Sequence, residues 1–286
     1  MTPPRNEVYT IAGMTGKARD SVVNRDSLSA FIEEQIVSGR SAEGSKLPSE
    51  RAIVEEYGLS RPAVREALRD LAVRGLVEIV PGRGAYVRRP RAGDLAGPLE
   101  AFYRRKRVTP RDLVEARKMI ECEAAFLAAG RSGSGDLEAM ELALTRFDHS
   151  TDLVDRTRYD IAFHMSLVRA AHNPVVEAMY GSIRSLVVQL MLRSLGDPTV
   201  SRAGVPYHRE IYVAIRSGDG ERARSSMSGH LVIAERLYGD DFDRSLHDVF
   251  QRELERLLGP GVTLDELLDV AVETDGDNRE VSWETF

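Results

Sequence analysis

Apolar residues recur every three or four positions along most of the chain, which is the pattern of amphipathic helices. In the N-terminal third, this pattern predicts helices over residues 25–38, 50–57 and 61–74. Six longer stretches follow after residue 109, separated by short breaks rich in Gly, Pro, Asn and Asp: residues 110–129, 136–147, 152–171, 174–194, 203–217 and 220–238. The fold is therefore predicted to be mainly α, with a C-terminal all-α helical bundle.

Two short segments of the N-terminal third are rich in strand-forming residues instead. They read LVEIV and AYV, and Pro81-Gly82-Arg83-Gly84 joins them. A glycine-bearing joint between two apolar runs is typical of a β-hairpin. Helix, tight turn, helix and hairpin in this order are the plan of a winged helix-turn-helix, whose second helix enters the major groove of DNA.

The same pattern divides the chain into five parts. Residues 1–20 contain few large apolar side chains, and we expect a disordered N-terminus there. Residues 21–90 should form the winged helix-turn-helix, and residues 91–108, which begin rich in Pro, Gly and charge, should form a linker. Residues 109–256 should form a helical domain for metal and effector binding and for dimerisation. Residues 257–286 are predicted to be an acidic C-terminal tail with one short helix, LDELLDVAV.

Composition narrows the class of protein. A chain of 286 residues with 42% hydrophobic and 29% charged residues suits two globular domains. We find no secretory signal and no uninterrupted apolar run near the ~20 residues that span a bilayer. The single cysteine, Cys122, excludes a disulfide framework and a cysteine-rich zinc site. These features predict a cytoplasmic protein without a membrane partner.

Charge is distributed unevenly. The net charge is −6, yet Arg61–Arg91 contains eight arginines against three acids, a local balance of +5. Leu258–Phe286 contains eight acids against one arginine, a balance of −7. Because local charge governs attraction to phosphates more than the total does, an acidic protein can still bind nucleic acid through the first region.

The helix that begins at Arg61 has the features of a recognition helix. Arginines recur every four residues on one face and apolar residues occupy the other: Arg61, Arg65 and Arg69 against Val64, Leu68 and Leu71. An arginine near the start of such a helix can bind a guanine edge or a phosphate. The alternative is a solvated arginine face bridged to Glu66 and Asp70, but the adjacent turn, caps and hairpin favour DNA.

Residues around that helix offer further DNA contacts. Ser49 and Ser60 precede the two helices of the turn as N-caps, so their hydroxyls and the free helix amides can meet phosphates. Arg51 is well placed to join them. Gly82 and Gly84 leave the hairpin tip bare, so the backbone and Arg83 can enter the minor groove.

The segments LPSER, GLSRPAVREAL and GLVEIVPGRGAYV closely resemble the signature of GntR-type bacterial transcription regulators. The resemblance implies that Arg51, Arg61 and Arg65 contact bases or phosphates and that the Gly82–Gly84 tip reaches the minor groove. It also implies a homodimer on a short palindromic operator of double-stranded DNA. The chain departs from the family pattern at Pro62-Ala63, where small hydroxyl residues are usual, and so lacks one phosphate contact.

Four possible metal ligands occupy helical positions in the second half: Asp160, His164, His208 and His230. Asp160 and His164 lie four residues apart and share an inward helix face. His208 lies ten residues before the turn Gly218-Asp219 and His230 eleven after it, so an antiparallel hairpin places both imidazoles at the same height. One carboxylate and three imidazoles suit Zn²⁺ or Ni²⁺, with open positions for water or a carboxylate. The alternative for each histidine is a core residue with ordinary hydrogen-bond partners.

Arg117 lies on an apolar stripe of its helix, where a cation needs a partner. A bound organic acid and Glu121, one turn later, are both possible partners, and the sequence leaves both open. The remaining histidines lack matching positions and should lie on the surface or in loops: His149, His172 and His247.

Three segments, RKMIECEAAFLAA, DIAFHMSLVRAAHNP and HREIYVAIRSGDGERARSSMSGHL, resemble the FCD ligand-binding domain of the FadR subfamily of these regulators. The resemblance implies that Asp160, His164, His208 and His230 bind the metal and that Arg117 holds an effector carboxylate. The acyl-CoA-responsive member of the subfamily lacks such a metal set, so small organic or sugar acids are the better expectation.

These observations predict a ligand-responsive transcription regulator, most simply a repressor, rather than an enzyme. An organic acid would bind the metal and Arg117, tighten the bundle and weaken operator binding through the linker. Two other classes remain open. A metal-dependent enzyme could be fused to a DNA-binding head, although we find no HExxH motif. An architectural DNA-binding dimer could use its helical half for dimerisation alone.

Overall fold

The computed structural model of the chain describes residues 24–90 and 96–258. The chain divides between Asp94 and Leu95 into two compact units. The predicted disordered N-terminus, residues 1–20, and the acidic tail from residue 259 onward lie outside the described residues, as does the short helix expected within that tail.

The first unit is a winged helix-turn-helix, as predicted. Its elements in chain order are α1 (Arg25–Val37), α2 (Glu50–Tyr57), α3 (Arg61–Val73), β1 (Val77–Val80) and β2 (Gly84–Val87). The two strands pair antiparallel, with Val77 opposite Val87 and Val80 opposite Gly84. Leu28, Ile53 and Leu71, one from each helix, are fully buried and form the centre of the core.

Short polar residues set the ends of the helices in this unit. Ser49 precedes α2 and accepts a hydrogen bond from the Ala52 amide at 3.2 Å, and Ser60 precedes α3 and accepts one from the Ala63 amide at 3.3 Å. Each hydroxyl satisfies an amide that has no partner inside its helix. Gly58 ends α2 with φ of 67°, a conformation that glycine adopts without strain.

The second unit is an all-helical bundle, also as predicted. Its elements in chain order are α4 (Ala96–Lys106), α5 (Pro110–Arg131), α6 (Ser134–His149), α7 (Leu153–Ala170), α8 (Pro174–Leu195), α9 (Pro198–Arg216), α10 (Gly220–Leu237), a 3₁₀ turn (Gly239–Asp243) and α11 (Leu246–Leu258). A capping residue followed by proline begins three of them: Thr109-Pro110, Asn173-Pro174 and Asp197-Pro198. The side chain binds free amides of the first turn, and the proline occupies the position where no amide hydrogen is needed.

The structure differs from the sequence-based boundaries in three places. The predicted linker 91–108 contains α4, which belongs to the helical unit. Its glycine and proline fall in the first turn, where helix amides have no internal acceptor, so they do not prevent a helix. Helix α9 begins at Pro198 rather than residue 203, and α11, which no helical stretch in the prediction covered, extends past the expected tail boundary at residue 257.

Helix α8 lies at the centre of the bundle. This helix is long and apolar enough to cross a membrane, but 67% of its most apolar 18-residue stretch is buried inside the protein. Its buried side chains also include Arg184, Gln189 and Arg193. Such polar groups suit a core helix with polar neighbours, and the helix supports the site described next.

Candidate metal centre and nucleic-acid interface

Three helices of the bundle bring the four predicted ligands together. Asp160 and His164 lie on α7, His208 on α9 and His230 on α10. Ligand atoms of the three histidines all lie within 4.8 Å of one another. Asp160 Oδ1 is 3.3 Å from His208 Nε2, and Asp160 Oδ2 is 3.8 Å from His164 Nε2.

The hairpin of α9 and α10 brings its two histidines level, as their spacing predicts. The ring centroids of His208 and His230 are 4.6 Å apart. A small residue allows the close approach of the two helices, because a Cβ at Gly229 of α10 would lie only 2.7 Å from Cε1 of the Tyr207 ring on α9. The four side chains, referred to below as the His₃Asp cluster, therefore converge on one point.

The His₃Asp cluster has the unsatisfied polar atoms expected of a metal site. Both carboxylate oxygens of Asp160, Nε2 of His164 and Nε2 of His208 are buried, and none has a hydrogen-bond partner in the part of the chain that the structure describes. Buried polar atoms are nearly always hydrogen-bonded, so four orphans facing one another need an explanation. One carboxylate and three imidazoles are a suitable ligand set for a divalent transition metal.

A cavity of about 40 Å³ opens beside the His₃Asp cluster. Arg117, Asp160, His208 and His230 line its polar side, and Ser194 and Ser201 add hydroxyls. Such a volume exceeds the ~10–15 Å³ that one water needs. The remaining lining is apolar, so the space suits a small ligand that presents polar atoms to the histidines.

Burial keeps two imidazoles of the cluster, those of His208 and His230, neutral. It lowers the pKa of His208 well below the ordinary value, and the neighbouring His230 and His164 lower it further. Burial, followed by the charges of His164 and Arg117, lowers the pKa of His230 to about 3. A neutral imidazole is the form that binds metal, so at neutral pH no proton has to leave either side chain.

Glu121 on α5 is a polar neighbour of the cluster that the sequence suggested only as a partner for Arg117. Its Oε2 lies 2.6 Å from His164 Nδ1. Burial would raise the pKa of Glu121, but the charges of Arg117 and His164 outweigh it and lower the pKa to about 2. Glu121 is therefore an ionised acceptor for His164, and only its position one turn from Arg117 could have drawn attention to it.

Arg117 is fully buried and forms an ion pair with Glu121, the simpler of its two predicted partners. Arg117 Nε lies 2.5 Å from Glu121 Oε1, and the side chains are 2% and 0% exposed. Arg117 also lines the cavity beside the cluster. The structure thus shows the salt bridge, and contact with an effector carboxylate stays a prediction.

The other histidines lie apart from the cluster. His149 is exposed and bonds the Thr145 carbonyl oxygen through Nδ1 at 2.7 Å. His172 is an exposed turn residue with φ of 45°, and its Nε2 lies 2.9 Å from Asp136. His247 is half-buried on α11.

In the first unit, α3 presents arginines to solvent and apolar residues to the core. Its exposed arginines are Arg61, Arg65 and Arg69, and its buried residues include Val64, Leu68 and Leu71. Two of these arginines hold surface ion pairs: Arg65 with Glu50 of α2 at 2.8 Å, and Arg69 with Glu66 at 2.7 Å. Exposed pairs of this kind contribute only ~0–1 kcal/mol, so a phosphate can replace either acid at little cost.

The remaining predicted contact residues surround α3 in the sequence. Arg51 is exposed at the start of α2 and pairs with Glu55 at 2.8 Å. Gly82 and Gly84, with φ of 72° and 112°, form an exposed tip around exposed Arg83. A side chain at Gly84 would be strained, and its Cβ would lie 3.2 Å from Cε of Lys46. Glycine thus keeps the tip narrow.

Known proteins resemble both units. Residues 24–87 match the family model of bacterial regulatory proteins, gntR family, and residues 112–232 match that of the FCD domain. The HTH-type transcriptional regulator LutR of Bacillus subtilis (strain 168) is 30% identical over 217 residues, which cover 74% of this chain and 99% of LutR. The galactonate operon transcriptional repressor of Escherichia coli (strain K12) is 30% identical over 210 residues, 70% of this chain and 90% of the repressor. The solved structure of Streptococcus agalactiae GntR has the same fold, with a TM-score of 0.57, 24% identity, and coverage of 74% of this chain and 99% of that one.

Proposed function

The chain belongs to the gntR family of bacterial regulatory proteins and carries an FCD domain, and we propose that its helical unit senses a small organic or sugar acid through a bound divalent metal. It is a transcriptional regulator rather than an enzyme, as its relatives are. The convergence of Asp160, His164, His208 and His230, with four orphaned polar atoms, is the observation that carries the proposal.

The His₃Asp cluster would hold the metal, with Zn²⁺ or Ni²⁺ best suited to its ligand set. When bound, the metal supplies a Lewis-acid site with positions open to a carboxylate. The chain does the rest: it buries the ligands, keeps His208 and His230 neutral and shapes the cavity. Because most of the cavity lining is apolar, polar contacts inside it are stronger than in bulk water.

A small acid fits this site better than a long acyl chain does. The cavity of about 40 Å³ is small and lies directly beside the cluster. Arg117 lines it and would hold the carboxylate, while the hydroxyl of Ser201 suits a hydroxyl-bearing molecule. The relative named for a galactonate operon supports a sugar acid as one member of the class.

DNA binding is assigned to the winged helix-turn-helix. Arg51, Arg61 and Arg65 would contact bases or phosphates, Ser49 and Ser60 would present helix N-terminal amides to phosphates, and the tip Gly82–Gly84 with Arg83 would enter the minor groove. We propose a cytoplasmic homodimer on a short palindrome that acts as a repressor, in line with the relative that is named a repressor.

Removing the arginine side chain at position 65 should weaken specific DNA binding. Arg65→Ala deletes a cation from the exposed face of α3, and the expected cost is about 1–3 kcal/mol, roughly 5- to 150-fold in affinity. Fluorescence anisotropy with a duplex selected by the wild-type protein from a random pool measures this. Arg40→Ala, which removes an exposed arginine beside α1, is the matched control and should change affinity less than twofold. Equal affinities for Arg65→Ala and wild type would remove Arg65 from the interface.

Acid binding should change the DNA affinity of the metal-loaded protein. With zinc-loaded protein and the same duplex, a panel of hydroxy acids and sugar acids that includes galactonate should contain at least one that weakens binding about tenfold or more. The acid can do so only by binding the two states of the protein with different affinity. An acid that stabilises the protein in a thermal-shift assay but leaves DNA affinity unchanged at saturation would contradict the proposal and favour an architectural role.

A further inference from the structure

Glu121 stands between the proposed effector contact and the proposed metal ligands. We propose that Glu121 is a positioning residue that fixes the orientation and tautomer of His164 and so presents His164 Nε2 to the metal. The role of His164 as a metal ligand rests on the proposed function. The hydrogen bond between Glu121 and His164 is present in the protein without metal.

Two side chains donate three hydrogen bonds to the Glu121 carboxylate. His164 Nδ1 lies 2.6 Å from Oε2, and Arg117 bonds Oε1 through Nε and Oε2 through Nη2 at 2.5 Å and 3.3 Å. The side chains of Glu121 and His164 are both 0% exposed. A buried, doubly held carboxylate has little freedom to move, so the imidazole bonded to it is held as well.

This bond decides which nitrogen of His164 carries the hydrogen. Glu121 is an acceptor only, because Arg117 holds it in the ionised form, so the hydrogen must be on Nδ1. In the neutral imidazole, the form that binds metal, the lone pair is then on Nε2. This atom lies 3.8 Å from Asp160 Oδ2 and has no hydrogen-bond partner among the described residues. With the other tautomer, an N–H group would point at the site and no metal could bind there.

Other contacts of the ring do not provide the same control. His164 meets the rings of Phe163, His208 and His230, with centroids 5.5, 5.3 and 5.2 Å away. Ring packing restricts the position of an imidazole but does not distinguish Nδ1 from Nε2. A carboxylate on the far nitrogen does, and it also makes the ligating nitrogen more basic.

The affinity test uses Glu121→Gln on the full-length protein and Zn²⁺ alone as the probe. Zinc affinity, measured by competition with a chromophoric chelator, should fall about 10- to 100-fold, the usual effect of losing such a partner. Glu115→Gln replaces an exposed glutamate on the same helix and should stay within twofold of wild type. A folded Glu121→Gln variant with wild-type zinc affinity would overturn the proposal.

The tautomer test needs no metal. Long-range ¹H–¹⁵N spectra of the ¹⁵N-histidine-labelled, metal-free protein should show His164 protonated at Nδ1, and Glu121→Gln should shift it towards a mixture. A wild-type His164 protonated at Nε2 would overturn the proposal even if Glu121→Gln fails to fold. If wild-type protein binds neither zinc nor nickel but shows the Nδ1 form, the metal function fails, while Glu121 still fixes the tautomer of His164.

Discussion

Replacing His208 with alanine should reduce the zinc or nickel affinity of the protein more than 100-fold, beyond the ~10- to 100-fold loss that outer partners cause. His208 Nε2 is buried, lies 3.3 Å from Asp160 Oδ1 and has no hydrogen-bond partner within residues 24–90 and 96–258. Without it, one carboxylate and two imidazoles remain in the cluster. Metal at 100 times the wild-type Kd should stabilise the wild-type protein by about 2.7 kcal/mol, and His208→Ala should lose most of that stabilisation.

The matched control is His149→Ala, which removes an exposed histidine from α6 of the same unit. Chelator competition and thermal melts with and without metal should leave this variant indistinguishable from wild type. An equal loss in both variants would show that metal binds surface histidines unspecifically. Retention of full affinity in His208→Ala would remove His208 from the ligand set.

Locally encoded features were predictable from the sequence. Ser49 and Ser60 cap α2 and α3 because a hydroxyl before a helix satisfies a free amide, whatever surrounds it. The hairpin of β1 and β2 follows from the glycines at its tip. The winged helix-turn-helix and the helical bundle were therefore confirmed element by element, with most bounds within a few residues.

The His₃Asp cluster was within reach of the sequence because helix geometry alone relates its members. Asp160 and His164 share a face of α7 through their spacing of four residues, and the turn Gly218-Asp219 lies almost midway between His208 and His230. These two spacings predict that the four side chains meet once the three helices pack against one another. The structure indeed brings them within a few ångströms.

Long-range pairings were not predictable in the same way. Glu121 and His164 are 43 residues apart on separate helices, and nothing in either sequence segment specifies which polar side chain faces which. The sequence predicted that Arg117 is buried but not which group neutralises its charge. Glu121 one turn away and the carboxylate of a bound acid can both do so. Helix α4 was missed because Gly and Pro signal a break by composition, although a helix tolerates them in its first turn.

Replacing Arg117 with methionine should destabilise the protein by about 3–5 kcal/mol, the usual cost of leaving one member of a buried ion pair unpaired. Arg117 and Glu121 are 2% and 0% exposed, so Glu121 would keep its charge without its strongest neighbour or would have to take up a proton. Chemical denaturation of the metal-free protein measures this as a lower midpoint with little change in slope. Lys118→Met, which breaks the partly exposed pair of Lys118 with Glu235, is the matched control and should cost at most ~1 kcal/mol.

The double variant Arg117→Met/Glu121→Met separates the two roles considered for Arg117. Removing both charges eliminates the unpaired carboxylate, so the double variant should be more stable than Arg117→Met alone. It should still fall short of wild type, because His164 Nδ1 loses its acceptor, which costs about 1–3 kcal/mol. If Arg117→Met instead cost less than ~1 kcal/mol, the ion pair would contribute little to folding. A buried cation that the fold does not need would then be explained best by a ligand carboxylate in the adjacent cavity.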